Sequence, residues 1–141
     1  MVNNRNVSAY QGKPPTKLAD TRIYIKDGPI YSKADILALL TDESKTIFWT
    51  RKCSVEAQKL AFDIADAQEL VKLAITKGIY KKSEWCVQKP TGPWAACDSY
   101  VVFRNEWLGY ARKEIRCEYY VKFAIAKSGK LLLLVSCHMS Q

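Results

Sequence analysis

Strict alternation of apolar and other side chains marks the segment Arg116-Cys-Glu-Tyr-Tyr-Val-Lys-Phe-Ala-Ile-Ala126. The apolar positions that share one face are Tyr119, Val121, Phe123 and Ile125, and the opposite face carries Tyr120, Lys122 and Ala124. A period of two predicts a strand with one face turned toward a core. Leu131–Cys137 and Ser99–Arg104 predict two further strands. The C-terminal half therefore predicts an antiparallel sheet.

Helix signals precede this sheet. Ser32 followed by Asp35 predicts a helix start, and the helix is expected to run to about Leu40. Ser54 predicts the cap of a short second helix over residues 55–62, after an extended piece at Thr46–Thr50.

The clearest helix begins after Asp63, because its apolar residues recur at positions i, i+3, i+4 and i+7. These residues are Ala67, Leu70, Val71 and Ala74. Gly78 predicts a left-handed C-cap for this helix. Helices first and strands afterwards predict an α+β fold, with N-terminal helices packed on a C-terminal antiparallel sheet.

The first 31 residues predict a basic N-terminal arm or a small hairpin. The hairpin would join Thr21–Lys26 to Pro29–Tyr31 through a turn at Asp27-Gly28. The expected division is thus residues 1–31 as arm and residues 32–141 as the main domain.

Composition limits the class of protein. The 141 residues carry 22 Lys+Arg against 14 Asp+Glu, a formal net charge of +8, and 48% are hydrophobic. This hydrophobic fraction excludes general disorder. An excess of cations on one domain indicates nucleic acid, an anionic surface or an acidic protein as partner. The longest apolar run, Leu131–Val135, is far shorter than the ~18 residues of a membrane span. The N-terminus lacks the apolar core of a secretory signal, so a cytoplasmic protein with no membrane partner is expected.

The cysteines and the histidine argue against a metal centre. Five cysteines occur without a C-x-x-C pair, which excludes a zinc ribbon, and the only histidine is His138. We therefore expect no metal and no cofactor. Histidine is the side chain that ordinarily titrates near neutrality, so a single imidazole still permits acid–base chemistry.

The turn after Ala126 decides where His138 points. A three-residue loop, Lys127–Gly129, with Gly129 left-handed, pairs Tyr120 with Ser136 and Glu118 with His138. Tyr120, Lys122 and His138 then share one face. A two-residue Ser-Gly turn would instead place Tyr120 and His138 on opposite faces. We prefer the first register because Ser is a poor first residue for a type I′ turn.

Seven motifs, in order over about residues 33–138, resemble the MqsR family of motility quorum-sensing regulator toxins. They are Ile36–Leu40, Thr50-Arg51, Ala57–Asp63, Ile79–Ser83, Cys97–Tyr100, Tyr120–Phe123 and Val135–His138. The resemblance implies a RelE-like, microbial-ribonuclease-like fold and an mRNA-cleaving toxin with an antitoxin partner. The resemblance leaves open whether the protein also associates with the ribosome.

The resemblance also implies site residues. The family's catalytic lysine falls on Lys81, with Lys82 as its substitute, and its catalytic tyrosine falls on Tyr120. Its glutamine falls on Cys97, and its terminal lysine falls on His138. Cys97 and His138 both depart from the residue types of the family, and a thiol cannot replace the hydrogen bonding of an amide.

Metal-independent RNA cleavage needs a group to move protons and cations to hold the phosphate. His138 is the candidate acid or base, Lys81 and Lys122 the candidate phosphate contacts, and Tyr120 orients the phosphate or donates a proton. Further substrate contacts are expected from Lys82, Cys97, Arg104, Arg112 and Arg116.

Two other hypotheses stay open. The Cys97 departure favours a non-catalytic module that binds RNA or an acidic protein. The unmatched N-terminal arm favours the toxic C-terminal nuclease domain of a contact-delivered toxin, neutralised by an immunity protein. The aromatic residues that could stack on unpaired bases lie in a stretch expected to be irregular; they are Trp85, Trp94, Trp107 and Tyr110.

Overall fold

The computed structural model describes residues 4–16 and 22–140, so residues 1–3 and 17–21 of the predicted arm lie outside it. The elements in chain order are β1 (Tyr24–Ile25), α1 (Lys33–Leu39), β2 (Thr46–Phe48), α2 (Arg51–Lys59), α3 (Ile64–Lys77), β3 (Ile79–Val87), β4 (Trp94–Leu108), β5 (Lys113–Ile125) and β6 (Leu132–Ser140), with a 3-10 turn at Glu43–Lys45. The predicted α+β class is confirmed. None of the described helices has the length and hydropathy needed to cross a membrane.

The six strands form one mixed sheet in the order β1-β3-β4-β5-β6-β2. The expectation of a purely antiparallel, C-terminal sheet was wrong at both edges. β2 pairs in parallel with β6, from Thr46↔Leu132 to Phe48↔Leu134. β1 pairs antiparallel with β3. Short strands from the N-terminal half thus cover edges whose backbone groups would otherwise stay unpaired.

The stretch expected to be irregular is mostly strand. β3 and β4 pair from Ile79↔Val101 to Val87↔Trp94, and the β4–β5 hairpin extends to Leu108↔Lys113. Trp94 is buried in this sheet, whereas Trp107 and Tyr110 are exposed near the tip of the hairpin.

Local chemistry explains the helix ends. The Ser32 hydroxyl accepts from the amide of Asp35, as the sequence predicts, and Asp63 forms a capping box with Asp66 at the start of α3. The cap of α2 is Thr50, not Ser54, because the Thr50 hydroxyl accepts from the amide of Cys53 and donates to the carbonyl of Val135.

Gly78 does not form the predicted left-handed cap, because the chain passes straight from α3 into β3 with an extended backbone (φ −92°, ψ −169°). Glycine is needed there for space. A Cβ at this position would collide with the carbonyl oxygens of Ala74 and Val101.

A β-bulge sets the register of the last hairpin. Phe123 pairs with Leu134, but Lys122 pairs with Ser136, so Val135 is the extra residue. The loop spans Lys127–Lys130, because the amide of Ala126 donates to the carbonyl of Leu131, and Gly129 is left-handed as predicted.

The predicted pairs Tyr120–Ser136 and Glu118–His138 were therefore wrong. Leu132 lies opposite Ile125, and Leu134 lies opposite Phe123. Tyr120 pairs directly with His138. Since opposed residues share a face, the prediction that these two side chains lie on one face with Lys122 is confirmed.

The core joins α3 to the central strands. Leu70, Val71 and Ala74 of α3 belong to one hydrophobic cluster with Tyr100 and Phe123. Tyr100 and Phe123 stack with ring centroids 5.9 Å apart. Tyr119 and Val121 join the same cluster, while Tyr120 and Lys122 alternate with them and are directed away from it.

The N-terminal segments are hydrogen bonded to this sheet. The amide of Val7 donates to the carbonyl of Trp94, and the amide of Ala9 donates to the carbonyl of Ile125. The predicted hairpin does not form in the described residues. Tyr24–Ile25 pairs with β3, and residues 29–31 are not a strand.

Asp98 accounts for the path of residues 30–31. Its buried carboxylate accepts from the amides of Ile30 (2.9 Å) and Tyr31 (3.0 Å) and from the hydroxyl of Ser83. Burial raises the pKa of Asp98 above its ordinary value, although these hydrogen bonds act in the opposite direction. Asp98 thus attaches the N-terminal segment to β3 and β4.

Replacing Asp98 with Ala leaves three donors without their acceptor. We expect Asp98→Ala to lower the free energy of unfolding by about 3 kcal/mol, measured by urea denaturation. Asp35→Ala, at an exposed position of α1, is the control and should change it by less than about 0.5 kcal/mol. Equal losses in the two variants would contradict this role for Asp98.

Candidate functional site

A small cavity of about 230 Å³ opens on the sheet face that carries Tyr120. Its lining residues are Arg22, Lys52, Lys82, Tyr120, Lys122 and His138. Four of them, Lys82, Tyr120, Lys122 and His138, are predicted site residues, and they come from β3, β5 and β6. The sheet therefore brings together residues up to 56 positions apart, from Lys82 to His138.

Tyr120 and His138 form the centre of the cavity. Their rings are stacked, with centroids 5.1 Å apart and an interplanar angle of 26°. Within residues 4–16 and 22–140, the buried hydroxyl of Tyr120 has no hydrogen-bond partner. A buried hydroxyl without a partner is costly, and a ligand that displaces the side chains covering this atom would supply the missing partner.

A buried carboxylate organises the cations beside this pair. Glu84, only 2% exposed, accepts from Lys122 Nζ at 3.1 Å and from Arg22 at 3.0 Å. The Glu84 charge also raises the pKa of Arg22. Glu84 therefore holds both cations at the edge of the cavity.

Lys122 keeps its charge although it is largely buried. Burial alone lowers the pKa of its ammonium group. The acidic side chains around it outweigh burial and raise that pKa above its ordinary value; they are Cys86, Tyr120 and Glu84. Lys122 is therefore protonated throughout the neutral range.

Glu56 of α2 approaches His138 from the other side. One carboxylate oxygen accepts from the hydroxyl of Ser136 (2.9 Å) and from the amide of Cys137 (3.1 Å). The other oxygen lies 4.0 Å from His138 Nε2 and 3.9 Å from Lys52 Nζ. Glu56 is thus oriented by two donors toward the imidazole edge.

The balance of charge in the site suits an anion. Four cations line the cavity, namely Arg22, Lys52, Lys82 and Lys122, and the two carboxylates that contact them are Glu56 and Glu84. Two positive charges remain uncompensated before His138 is counted. Cations at this density, with a phenol that can donate, are typical of a phosphate-binding site.

The two adjacent lysines of β3 differ in position because one of them, Lys81, is the extra residue of a β-bulge. Tyr80 pairs with Tyr100 and Lys82 with Ser99, so Lys81 is the unpaired, exposed residue between them. Lys82 lines the cavity and Lys81 does not. Of the two candidates for the phosphate contact, Lys82 is the one beside Tyr120.

The predicted arginine contacts lie outside the cavity. Arg104 donates to Glu106 at 2.6 Å and lies over the ring of Tyr119. Arg116 lies 3.9 Å from the ring centroid of Phe103. Arg112 is exposed in the turn between β4 and β5. None of the three lines the cavity.

Cys97 is fully buried and lies opposite Glu84 in the sheet. Burial raises the pKa of its thiol well above the ordinary value, and the hydrogen bond with Cys97 lowers the pKa of Cys86. Cys97 thus supports the buried floor of the site, and a bound substrate cannot reach it in this structure.

Sequence reasoning missed four site residues, Arg22, Lys52, Glu56 and Glu84. Their contacts join distant parts of the chain, such as Arg22 with Glu84. The available signal was the alternation of β3, which puts Glu84 in phase with Lys82 and Cys86.

Neither a search for metal ligands nor comparison with known proteins assigns a further role to the site. In the described part of the chain, no three His, Cys, Asp or Glu side chains are grouped so that they could hold a metal ion. No protein-family model matches the chain, and comparison with curated proteins and with solved structures finds no match. The resemblance to MqsR toxins therefore depends on the sequence motifs alone.

The cavity predicts phosphate binding. For a dissociation constant of about 1 mM, 10 mM inorganic phosphate should raise the free energy of unfolding by about 1.4 kcal/mol, measured by urea denaturation at constant ionic strength. Arg22→Ala should remove most of this increment, because it removes one cation and releases Glu84. Arg112→Ala, in the exposed turn, should retain it. A wild-type protein that gains no stability from phosphate would contradict the assignment.

Proposed function

We propose that this protein is an endoribonuclease that cleaves single-stranded RNA, such as mRNA, by metal-independent transesterification. The observation that carries the proposal is the unpartnered Tyr120 hydroxyl, stacked against His138 in a cavity with an excess of cations. The net charge of +8 supports a polyanionic substrate.

The reaction uses the substrate's own 2′-hydroxyl. Its oxygen attacks the adjacent phosphorus and loses its proton, while the bond from phosphorus to the 5′-oxygen breaks and that oxygen gains a proton. The products are a 2′,3′-cyclic phosphate and a free 5′-hydroxyl. The enzyme must accept one proton, donate another and stabilise the charge on the phosphate.

His138 is the proposed general base. Its Nδ1 lies 3.3 Å from the carbonyl of Met139, which favours the tautomer with the proton on Nδ1 and leaves Nε2 free to accept. The carboxylate of Glu56, 4.0 Å from Nε2, then stabilises the imidazolium that forms. Glu56 is a positioning residue in this scheme.

Tyr120 is the proposed proton donor to the leaving 5′-oxygen. Its hydroxyl has no competing partner among the described residues. Lys122 and Arg22 line the same cavity and would supply the positive charge beside the phenolate that forms. Proton exchange with water restores Tyr120 and His138 after each turnover.

Arg22, Lys82 and Lys122 are the proposed phosphate contacts. Lys122 and Arg22 are held by Glu84, so they need little reorganisation when the phosphate binds. Such preorganisation is the largest source of catalysis in many enzymes. Lys82 takes the role that the family resemblance implied for Lys81.

The family resemblance extends the proposal to a biological setting. We propose a toxin of the mRNA interferase type that acts in the cytoplasm and is neutralised by an antitoxin. Supporting features are the ordered motifs and the basic charge, which complements an acidic partner. A delivered toxin domain with an immunity protein requires the same nuclease site, as does a ribosome-associated toxin.

Cleavage of a short single-stranded RNA tests the proposal. In the presence of EDTA the wild type should cleave it, and His138→Ala and Tyr120→Phe should each lower kcat/KM by about 10²–10⁴-fold. The 2′-deoxy substrate should be inert. Lys33→Ala, at an exposed position of α1, is the matched surface control and should retain activity.

The same experiment tests the non-catalytic alternative, which the inaccessible Cys97 supports. RNA binding without cleavage by the wild type would favour a binding module and contradict the nuclease. Cleavage lost on addition of EDTA would contradict the metal-independent mechanism.

Glu56→Gln tests the positioning role through the separate effects on kcat and KM. The amide keeps the shape of the side chain but carries no charge to stabilise the imidazolium, so kcat should fall about tenfold while KM stays unchanged. A rise in KM with an unchanged kcat, or a variant that loses the wild-type circular dichroism, would contradict the positioning role.

A further inference from the structure

A second depression adjoins the cavity and is here called the β3–α2 groove. It has a volume of about 500 Å³ and lies between the end of β3 and the beginning of α2. Its walls include Thr50, Trp85, Val87, Gln88 and Pro90. Arg22, Lys52 and Lys122 line both the groove and the cavity, so one ligand can occupy both.

The size and charge of the groove restrict its ligand. Its volume lies in the range of pockets that enclose small organic molecules, and its walls are mainly apolar. The cations that line it are Arg22, Arg51, Lys52, Lys89 and Lys122, against the single carboxylate of Glu84. An apolar groove with a cationic rim suits a flat organic ring attached to an anion.

Gln88 supplies a fixed hydrogen-bond acceptor in this groove. Its side-chain Nε2 donates to the carbonyl of Trp49 at 2.8 Å, and its backbone amide donates to the carbonyl of Pro93 at 2.9 Å. The first bond orients the side-chain amide, and the second holds the backbone that carries it. Its side-chain oxygen accepts no hydrogen bond from the described residues, and every nucleobase carries an N–H group that could donate to it.

We propose that the β3–α2 groove binds the nucleobase of the nucleotide whose phosphate occupies the cavity. This inference rests on the proposed RNA substrate and adds the place where its base is recognised. The shared cations hold the phosphate, the apolar walls cover the ring, and the Gln88 oxygen accepts from the base edge.

Equilibrium binding of small probes tests the groove without any cleavage. The probes are adenosine, cytidine, guanosine and uridine 3′-monophosphates, with ribose 5-phosphate and inorganic phosphate as base-free references. At least one nucleotide should bind the wild type about tenfold more tightly than either reference, the gain expected from one hydrogen bond and a covered ring. Gln88→Ala removes only the hydrogen bond and should reduce this ratio to about two, and Gln58→Ala, exposed on α2, should preserve it.

The outcomes distinguish failure of the proposed base site from failure of the proposed nuclease activity. Equal affinity of the wild type for the nucleotides and for the base-free references would overturn the base site, even if the protein cleaves RNA. An undiminished nucleotide preference in a Gln88→Ala protein with wild-type circular dichroism would also overturn it. If the protein binds nucleotides in a base-dependent way but does not cleave RNA, base binding in the β3–α2 groove is supported. Only the proposed nuclease activity is then contradicted.

Discussion

The ion cluster of the buried Glu84 with the buried Lys122 and the exposed Arg22 is the interaction on which the candidate site depends. A carboxylate that is removed from water must be paired, because the loss of hydration costs several kcal/mol. Glu84 therefore draws Lys122 of β5 and Arg22 of the N-terminal segment to one point. The cluster leaves an excess positive charge at the cavity, and it places that charge beside the Tyr120 hydroxyl. Folding and the proposed anion binding thus use the same ion pairs.

The β-bulge at Val135 has a comparable role for the imidazole. Without the extra residue, the register at Leu134 would continue to the end of β6, and His138 would lie opposite Tyr119 on the core face. One inserted residue shifts the strand and brings His138 over the ring of Tyr120. The bulge lies where Thr50 binds the Val135 carbonyl and Glu56 binds the following residues. The start of α2 therefore stabilises the register that builds the site.

The parts of the fold that sequence reasoning predicts are those with long local patterns. Alternation identified β5, and capping residues located the starts of α1 and α3, because these signals depend on near neighbours. β1 and β2 have two and three residues, too few for a periodic signal, and their pairing is decided by open sheet edges. The site residues likewise divide into those with a local sequence signal and those without one. Tyr120, Lys122 and His138 share a strand phase, whereas Arg22 and Glu56 arrive through contacts 62 or more residues apart in sequence.

The central claim is that the 2′-oxygen of RNA, and not water, attacks the phosphorus at this site. Single-turnover cleavage in ¹⁸O-labelled water measures this directly by mass spectrometry of the first product. The account predicts a 2′,3′-cyclic phosphate without ¹⁸O, together with a 5′-hydroxyl fragment. A first product that is a linear phosphate carrying ¹⁸O, or intact RNA after prolonged incubation, would contradict it.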